Sequence, residues 1–297
     1  MIVVTAPTSQ IGSQLLGHLL AADADVRVIA RDPDRLKPEI RDRVDVVRGS
    51  HGDADVVNAA FDGAESVFWL APPDDRADDL RAVYLEFLEP ARVAFGKRGV
   101  ARVVGVSALG RGTPMAANAG HVTLSLAMDD RIAESGVAYR ALTMPSFMDN
   151  LLGQAGALRQ GMFFSPIPGD LRVPTCATAD IAAVAARELL DDSWAGAGFA
   201  EVPVLGPEDL SNNDQARILS EVLGREIRFQ HVPIDAFRAN MIANAGMSEA
   251  VAQGMAEMMA AKAAGMDNAQ PRTAANTTPT TFAAWCEETL VPTLWLG

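Results

Sequence analysis

The feature that most constrains the fold is an alternation of short β-branched runs with segments of helical periodicity in the first half of the chain. Such runs are typical of buried parallel strands, and the helix after each strand carries the chain back across the sheet. Right-handed crossovers then give a doubly wound sheet whose ligand crevice lies at the carboxyl ends of the strands. We assign strands to residues 2–5, 26–30, 44–47, 66–70, 103–106 and 137–143.

The alternation stops near residue 150, where the sequence becomes richer in Gly, Pro and Met. We therefore predict an α/β protein with two parts. Residues 1–150 form a Rossmann-type dinucleotide-binding domain, and residues 151–297 form a smaller, mostly helical substrate-binding part that can interleave with the first. Within the first part, the helix before the sixth strand is predicted at about 125–135.

The bulk composition excludes several classes of partner. The formal charge of −13 would repel nucleic acid and anionic membranes, so neither is expected as a partner. The two cysteines, Cys176 and Cys286, have no metal-site spacing and the histidines are scattered, so no metal or disulfide framework is predicted. The start of the chain has neither a basic leader nor a long apolar run, which predicts a cytoplasmic protein without a signal peptide or membrane span.

The junction between the first strand and the first helix is the candidate cofactor loop. It reads Thr5-Ala6-Pro7-Thr8-Ser9-Gln10-Ile11-Gly12. In a dinucleotide fold, backbone N–H groups and a helix N-terminus at this junction hold the pyrophosphate. The predicted cofactor-binding residues of the loop are Thr5, Ala6, Thr8, Ser9, Gln10 and Ile11.

This loop resembles that of the NmrA-like, atypical short-chain dehydrogenase/reductase family, whose first strand ends in a TGATGxxG-like turn. Ala6 and Ser9 stand where that turn has its first two glycines, and Gly12 keeps the third. A left-handed backbone at Ala6 would cost about 1 kcal/mol because of its Cβ. The Ser9 Cβ narrows the pyrophosphate path, whereas its hydroxyl can donate to the same phosphate. The alternative is a vestigial loop that holds no nucleotide.

The resemblance extends along the chain and implies NADP(H) as the cofactor. Arg31 follows the second strand, where the family places a basic residue against the adenosine 2′-phosphate; a solvated surface arginine is the alternative. Leu70 and Ala71, in Leu70-Ala71-Pro72-Pro73, and Ser107, in Val106-Ser107-Ala108-Leu109, also fall in family-like segments and are assigned to cofactor binding.

The Tyr-x-x-x-Lys pair of the best-known short-chain dehydrogenases is missing. Tyr84 and Tyr139 are followed four residues later by Leu88 and Thr143, and the lysine of isoflavone-reductase-like relatives falls at about Ser125. Hydride transfer without a dedicated acid remains feasible when the acceptor itself stabilises the new charge, as a quinone, an enone or a cationic dye does.

Two residues remain as catalytic candidates. His121 is predicted as the proton donor, against the alternative of an exposed loop histidine, and Ser107 can orient a carbonyl oxygen or simply pack beneath the nicotinamide. The methionine-rich stretch 241–266 either packs in the core or covers the substrate. Five residues are predicted either to line an apolar pocket or to be buried in the core, and neither role is favoured: Phe147, Met148, Met162, Phe163 and Phe164.

These observations lead to one function and two rivals. The leading hypothesis is an NADP(H)-dependent reductase of a small apolar, quinone-like, aromatic or polyketide-like molecule. One rival is a regulatory protein that senses NADP(H) without catalysis. The other is a cofactor-independent isomerase, cyclase or lyase on a Rossmann scaffold, which the altered Ala6/Ser9 loop makes credible.

Overall fold

The computed structural model describes residues 1–295. Its strands are β1 Ile2–Val4, β2 Val26–Ala30, β3 Asp45–Arg48, β4 Ser66–Trp69, β5 Arg102–Ala108, β6 Ala138–Met144, β7 Ser146–Phe147, β8 Met162–Ser165, β9 Val173–Cys176, β10 Phe199–Pro203, β11 Asp209–Leu210 and β12 Arg228–His231. Its α-helices are α1 Gln10–Ala21, α2 Pro38–Arg41, α3 Ala54–Ala60, α4 Glu89–Arg98, α5 His121–Glu134, α6 Ala155–Arg159, α7 Thr178–Leu190, α8 Asn212–Leu223, α9 Ile234–Ala245, α10 Glu249–Ala263, α11 Phe282–Trp285 and α12 Val291–Trp295.

Seven strands form one parallel sheet in the order β10-β6-β5-β4-β1-β2-β3. The predicted Rossmann-type sheet is therefore confirmed, and the order reverses between β1 and β4, which is where such sheets bind nucleotides. The seventh strand, β10, was missed by the sequence analysis. Its residues are half-buried or exposed at the sheet edge, so they leave no continuous apolar run.

Helices cover both faces of the sheet. On one face α1 packs against α7 and buries Leu15, Leu16 and Ile181 in a common core. On the other face α3, α4 and α5 bury Phe61 and Phe95 among other apolar side chains. Both faces of the inner strands β1, β4, β5 and β6 are thus largely shielded from water, as their uninterrupted apolar runs require.

Helix α5 begins at His121, so the predicted start at about residue 125 is wrong. Gly120 precedes the helix with φ 53°, a left-handed conformation that suits glycine. The first turn buries Val122, and this burial stabilises a helical turn that periodicity from residue 125 onward did not include. His121 therefore lies at a helix N-terminus and not in a loop.

The C-terminal helices form a further core. The side chains that pack together in this core include Phe163, Leu219, Phe282 and Trp285. Helix α10 packs against both α9 and α5, and α5 in turn packs on the main sheet. Within residues 1–295, we find no helix with the length and apolar character needed to cross a bilayer.

Candidate functional site

The loop between β1 and α1 makes a very tight turn. Ala6 adopts φ 48°, so this alanine carries the left-handed conformation that the altered glycine pattern had suggested. A Cβ on Gly12 would lie 2.2 Å from the Ala6 carbonyl oxygen, which no side chain can tolerate. The retained glycine is therefore the one that the close approach of helix and strand demands.

Ser9 is the N-cap of α1. Its Oγ accepts a hydrogen bond from the Gly12 amide at 3.0 Å, a role that the sequence analysis missed although a serine just before a helix is its usual signal. Within residues 1–295 the amides of Gln10 and Ile11 donate to no protein oxygen. Two free amides at the positive end of a helix, beside a hydroxyl with its hydrogen uncommitted, suit a phosphate group.

Thr5 connects β1 with β4, the two strands between which the order of the sheet reverses. Its hydroxyl donates to the Phe68 carbonyl at 2.9 Å and accepts from the Leu70 amide at 3.0 Å. The buried side chain of Thr5 is thus used within the protein, and it fixes the position of the Leu70–Ala71 segment relative to the β1–α1 loop. Thr8, half-buried, lies in the same loop.

Arg31 is exposed at the carboxyl end of β2. In the described part of the chain no hydrogen bond or ion pair engages its guanidinium, whereas Arg27 on the same strand is bound to Asp45 at 2.6 Å. Arg31 is therefore available to a ligand that reaches the second strand.

His51 stands beside this region and was not a sequence candidate. It is buried, it donates from Nε2 to the Leu70 carbonyl at 3.0 Å, and the rings of Trp69 and Phe87 contact it edge-on. Burial lowers the pKa of His51 to about 4, with a smaller contribution from the positive charge of Arg31. The imidazole is neutral at pH 7 and supports the turn after β4.

A cavity of about 400 Å³ opens at the carboxyl ends of β4, β5 and β6. It brings together four predicted residues from three separate segments: Leu70, Ala71, Ser107 and His121. The face of α10 that carries residues 251, 255, 258 and 262 forms the opposite wall, so the methionine-rich stretch covers this cavity.

A second cavity of about 390 Å³ adjoins the first. The two share the wall formed by Phe147, Met255 and Met258. Four of the five residues proposed for an apolar pocket line the second cavity, namely Phe147, Met148, Phe163 and Phe164. Their predicted pocket and core roles overlap, since Met148 and Phe163 are also members of the C-terminal core.

His121 is held on both sides. Its Nε2 lies 3.3 Å from the Val251 carbonyl, which can only accept, so Nε2 carries the hydrogen. Nδ1 then accepts from the Tyr84 hydroxyl at 3.2 Å. Burial lowers the pKa of His121 and raises the pKa of Tyr84 to about 12, so both groups are neutral at pH 7.

Ser107 belongs to a buried hydrogen-bonded cluster behind the cavity. Its hydroxyl donates to Asp129 at 2.5 Å and lies 3.3 Å from the Ser125 hydroxyl, which also lines the cavity. Tyr139 donates to the other carboxylate oxygen at 2.6 Å, and Arg111 lies 3.7 Å away. Burial raises the pKa of Asp129 to about 7, because these hydrogen bonds only partly replace water.

Lys262 is the one cationic side chain in the wall of the first cavity, among the described residues. It is 4% exposed, and its Nζ lies 2.5 Å from Asp267 Oδ2, forming a buried ion pair. The search for a lysine four residues after a tyrosine missed it. The only sequence signal is that the chain has just three lysines and one of them falls in the methionine-rich stretch.

Comparison with known proteins agrees with this geometry. A family profile described as NAD(P)H-binding matches residues 7–192. A (4-alkanoyl-5-oxo-2,5-dihydrofuran-3-yl)methyl phosphate reductase of Streptomyces griseus subsp. griseus is 31% identical over 246 residues, covering 82% of this chain and 81% of that protein. An NAD(P)H azoreductase of Xenophilus azovorans is 27% identical over 261 residues, covering 88% and 86%. Among solved structures, an NADPH-dependent quinone oxidoreductase of Escherichia coli complexed with NADPH superposes with a TM-score of 0.78 at 20% identity, covering 95% of this chain and 97% of that one.

Proposed function

Because the chain belongs to the NAD(P)H-binding family, we propose that it is an NADP(H)-dependent reductase of conjugated, quinone-like, aromatic or polyketide-like small molecules. The observation that carries this proposal is the apolar cavity that starts at Leu70 and Ala71, beside the cofactor loop, and continues under the methionines of α10. The relatives support it by name, since they are reductases of a furanone-type phosphate ester and of azo compounds.

The loop residues fit the cofactor. We propose that the Gln10 and Ile11 amides and the Ser9 hydroxyl hold the pyrophosphate, with Thr8 at its edge, while Ala6 and Thr5 shape the turn. The unpaired guanidinium of Arg31 would take the 2′-phosphate. When bound, the cofactor supplies the hydride; the protein orients the acceptor against it.

The hydrogen bonds of His121 and Ser107 support a proposed role for each. His121 can pass a proton outward only as an imidazolium, and its burial opposes that form, so at pH 7 we propose that it positions the Tyr84 hydroxyl at the cavity wall. Ser107 already donates to Asp129, so it can accept from Ser125. With both hydrogens committed, the pair of hydroxyls would orient a hydrogen-bond donor group of the acceptor.

The apolar walls favour acceptors that are planar and conjugated. In such molecules the charge created by hydride addition spreads over the π-system, which lessens the need for a Tyr–Lys pair. Methionine side chains adapt to rings of different shape and make favourable contacts with aromatic faces. A range of conjugated acceptors is therefore expected.

The first experiment titrates the protein with NADPH and with NADH, following the fluorescence of the reduced nicotinamide. In Arg31→Ala, loss of a charge-assisted contact of about 1.5–3 kcal/mol should weaken NADPH binding roughly 10- to 100-fold and leave NADH binding nearly unchanged. The matched control is Arg217→Ala, which removes a surface arginine paired with Glu221 on α8.

The outcomes separate the proposal from its rivals. NADPH-selective binding followed by turnover of a quinone panel supports the reductase. Binding with no turnover of any conjugated acceptor points to a sensing protein, and absence of binding to either nucleotide points to cofactor-independent chemistry. Equal effects of Arg31→Ala on both nucleotides would remove the proposed 2′-phosphate contact.

A further inference from the structure

The Lys262–Asp267 ion pair needs an explanation beyond stability. Placing two charges in the interior costs several kcal/mol per ion in desolvation, roughly what their attraction returns, so such pairs stabilise a fold weakly. Of the three lysines in the chain, Lys37 and Lys97 are exposed and only Lys262 is buried. Lysine is rarely buried without a functional or pairing reason.

The position of Lys262 gives that reason. It follows Val251, Met255 and Met258 on the face of α10 that lines the first cavity. The facing wall is built from the carboxyl ends of β5 and β6, including Ala108 and Met144. Within residues 1–295 its only hydrogen-bond acceptor is Asp267, so donor capacity remains on an ammonium group that has three N–H bonds.

We propose that Lys262, held in place by Asp267, binds the carbonyl oxygen of the acceptor and stabilises the negative charge that reduction places on it. This inference rests on the proposed reductase function and assigns to the same cavity an acid that the Tyr-x-x-x-Lys pattern did not reveal. A preorganised cation in a site shielded from water is most effective where charge develops during the reaction.

The reductant would be NADPH, and with it the step balances. A C–H bond of the reduced nicotinamide would break as the hydride forms a new C–H bond at the electrophilic carbon of the acceptor, leaving NADP⁺, and the displaced π-electron pair would move onto the carbonyl oxygen. That oxygen then takes a proton from Lys262 Nζ, so an O–H bond forms as an N–H bond breaks, and solvent restores the proton when product leaves.

The other polar groups of the wall are less suited to this role. His121 is neutral with both ring nitrogens engaged, and the Ser107 hydrogen is directed to Asp129. Lys262 alone brings a full positive charge to the cavity, among the described residues.

The test compares two acceptors that differ in the charge they develop. Reduction of a quinone creates an oxyanion, whereas reduction of a cationic triarylmethane dye cancels a positive charge and leaves none. For Lys262→Met we expect the ratio of quinone to dye kcat to fall about 100-fold or more, the usual effect of losing an oxyanion donor. The control Lys97→Met, at an exposed site on α4, should keep the wild-type ratio.

Lys262→Met leaves Asp267 as an unpaired buried carboxylate, which can prevent folding. The double variant K262M/D267N removes both charges and should show the same fall in the ratio. An unchanged ratio in either folded variant, or equal losses with both acceptors, would overturn the role of Lys262. NADPH affinity is measured alongside: wild-type protein that binds no NADPH, or reduces neither acceptor, refutes the reductase proposal instead.

A measurement on the wild-type protein does not depend on any variant folding. With NADP⁺ present, 4-nitrophenol should bind as its yellow phenolate and ionise at a lower pH than the free phenol, because Lys262 favours the anion. Binding of the neutral form only, or no binding, contradicts the proposal.

Discussion

At the scale of single residues, Ala6 stores strain that the fold tolerates. Its φ of 48° is a conformation that costs an alanine about 1 kcal/mol relative to glycine. We therefore expect Ala6→Gly to raise the free energy of unfolding by about 1 kcal/mol in urea denaturation. Ala133→Gly, at a regular position in α5, should lower it by about the same amount. A loss of stability in both variants would show that the turn is not strained.

Some properties of single residues could be predicted from the sequence, and others could not. The left-handed turn at Ala6 and the need for Gly12 follow from backbone sterics, so the conformation of the altered loop could be predicted from its amino-acid sequence. The capping of α1 by Ser9 was also within reach. His51 and Lys262 were not, because only the packing of distant segments shows that the first is neutral and the second faces a cavity.

At the scale of elements, α10 is fixed over the site by a backbone contact. A Cβ on Gly120, the residue before α5, would lie 2.1 Å from the Gly254 carbonyl oxygen in α10, and Gly120 also has φ 53°. We expect Gly120→Ala to lower the free energy of unfolding by about 2 kcal/mol and to raise the KM for the acceptor, with little change in NADPH affinity.

The matched control for Gly120→Ala is Gly17→Ala. Gly17 lies in α1, where a Cβ meets open space, and alanine there should raise the free energy of unfolding by about 0.5–1 kcal/mol. If Gly120→Ala left the KM unchanged while α10 still folded, the contact would not position the cavity wall.

The strands and helices differ in how well they could be predicted from the sequence. All six predicted strands are present. Five of them are largely buried, as continuous apolar runs in a parallel sheet require, whereas β3 at the sheet edge is half-buried or exposed. The edge strand β10, whose residues are all half-buried or exposed, was not predicted. The first turn of α5 was missed for a similar reason, since its helix depends on Gly120 and on tertiary burial of Val122 rather than on local periodicity.

At the scale of the whole molecule, two buried groups oppose each other in the pH dependence of stability. Folded His51 stays neutral down to about pH 4 while the unfolded chain protonates it below 6.5, so His51 destabilises the fold as the pH falls. Folded Asp129 keeps its proton up to about pH 7 while the unfolded chain loses it above 3.8, so Asp129 destabilises the fold as the pH rises. Besides burial, the pKa of Asp129 depends on the groups that face it, namely Ser107, Tyr139, Arg111 and Glu201.

Removing either ionisable group should reveal the pH dependence of stability that the other group causes. Between pH 5 and pH 6.5 each contributes about 2 kcal/mol, with opposite sign. Relative to wild type, His51→Gln should therefore lose about 2 kcal/mol of unfolding free energy as the pH rises across this range, and Asp129→Asn should lose about 2 kcal/mol as it falls. Urea denaturation at the two pH values measures both. The exposed His18→Gln is the control, and parallel pH profiles for all three variants would contradict the assignment.

The backbone contact between Gly120 and Gly254 has a consequence for how such a protein can diversify. Because this contact uses no side chain, it does not depend on which residues α10 turns toward the acceptor. Single codon changes at Met255 or Met258 can therefore alter the molecules accepted while the nucleotide loop, encoded far upstream, is left untouched. Selection can act on the choice of substrate without having to re-establish the binding of the reductant.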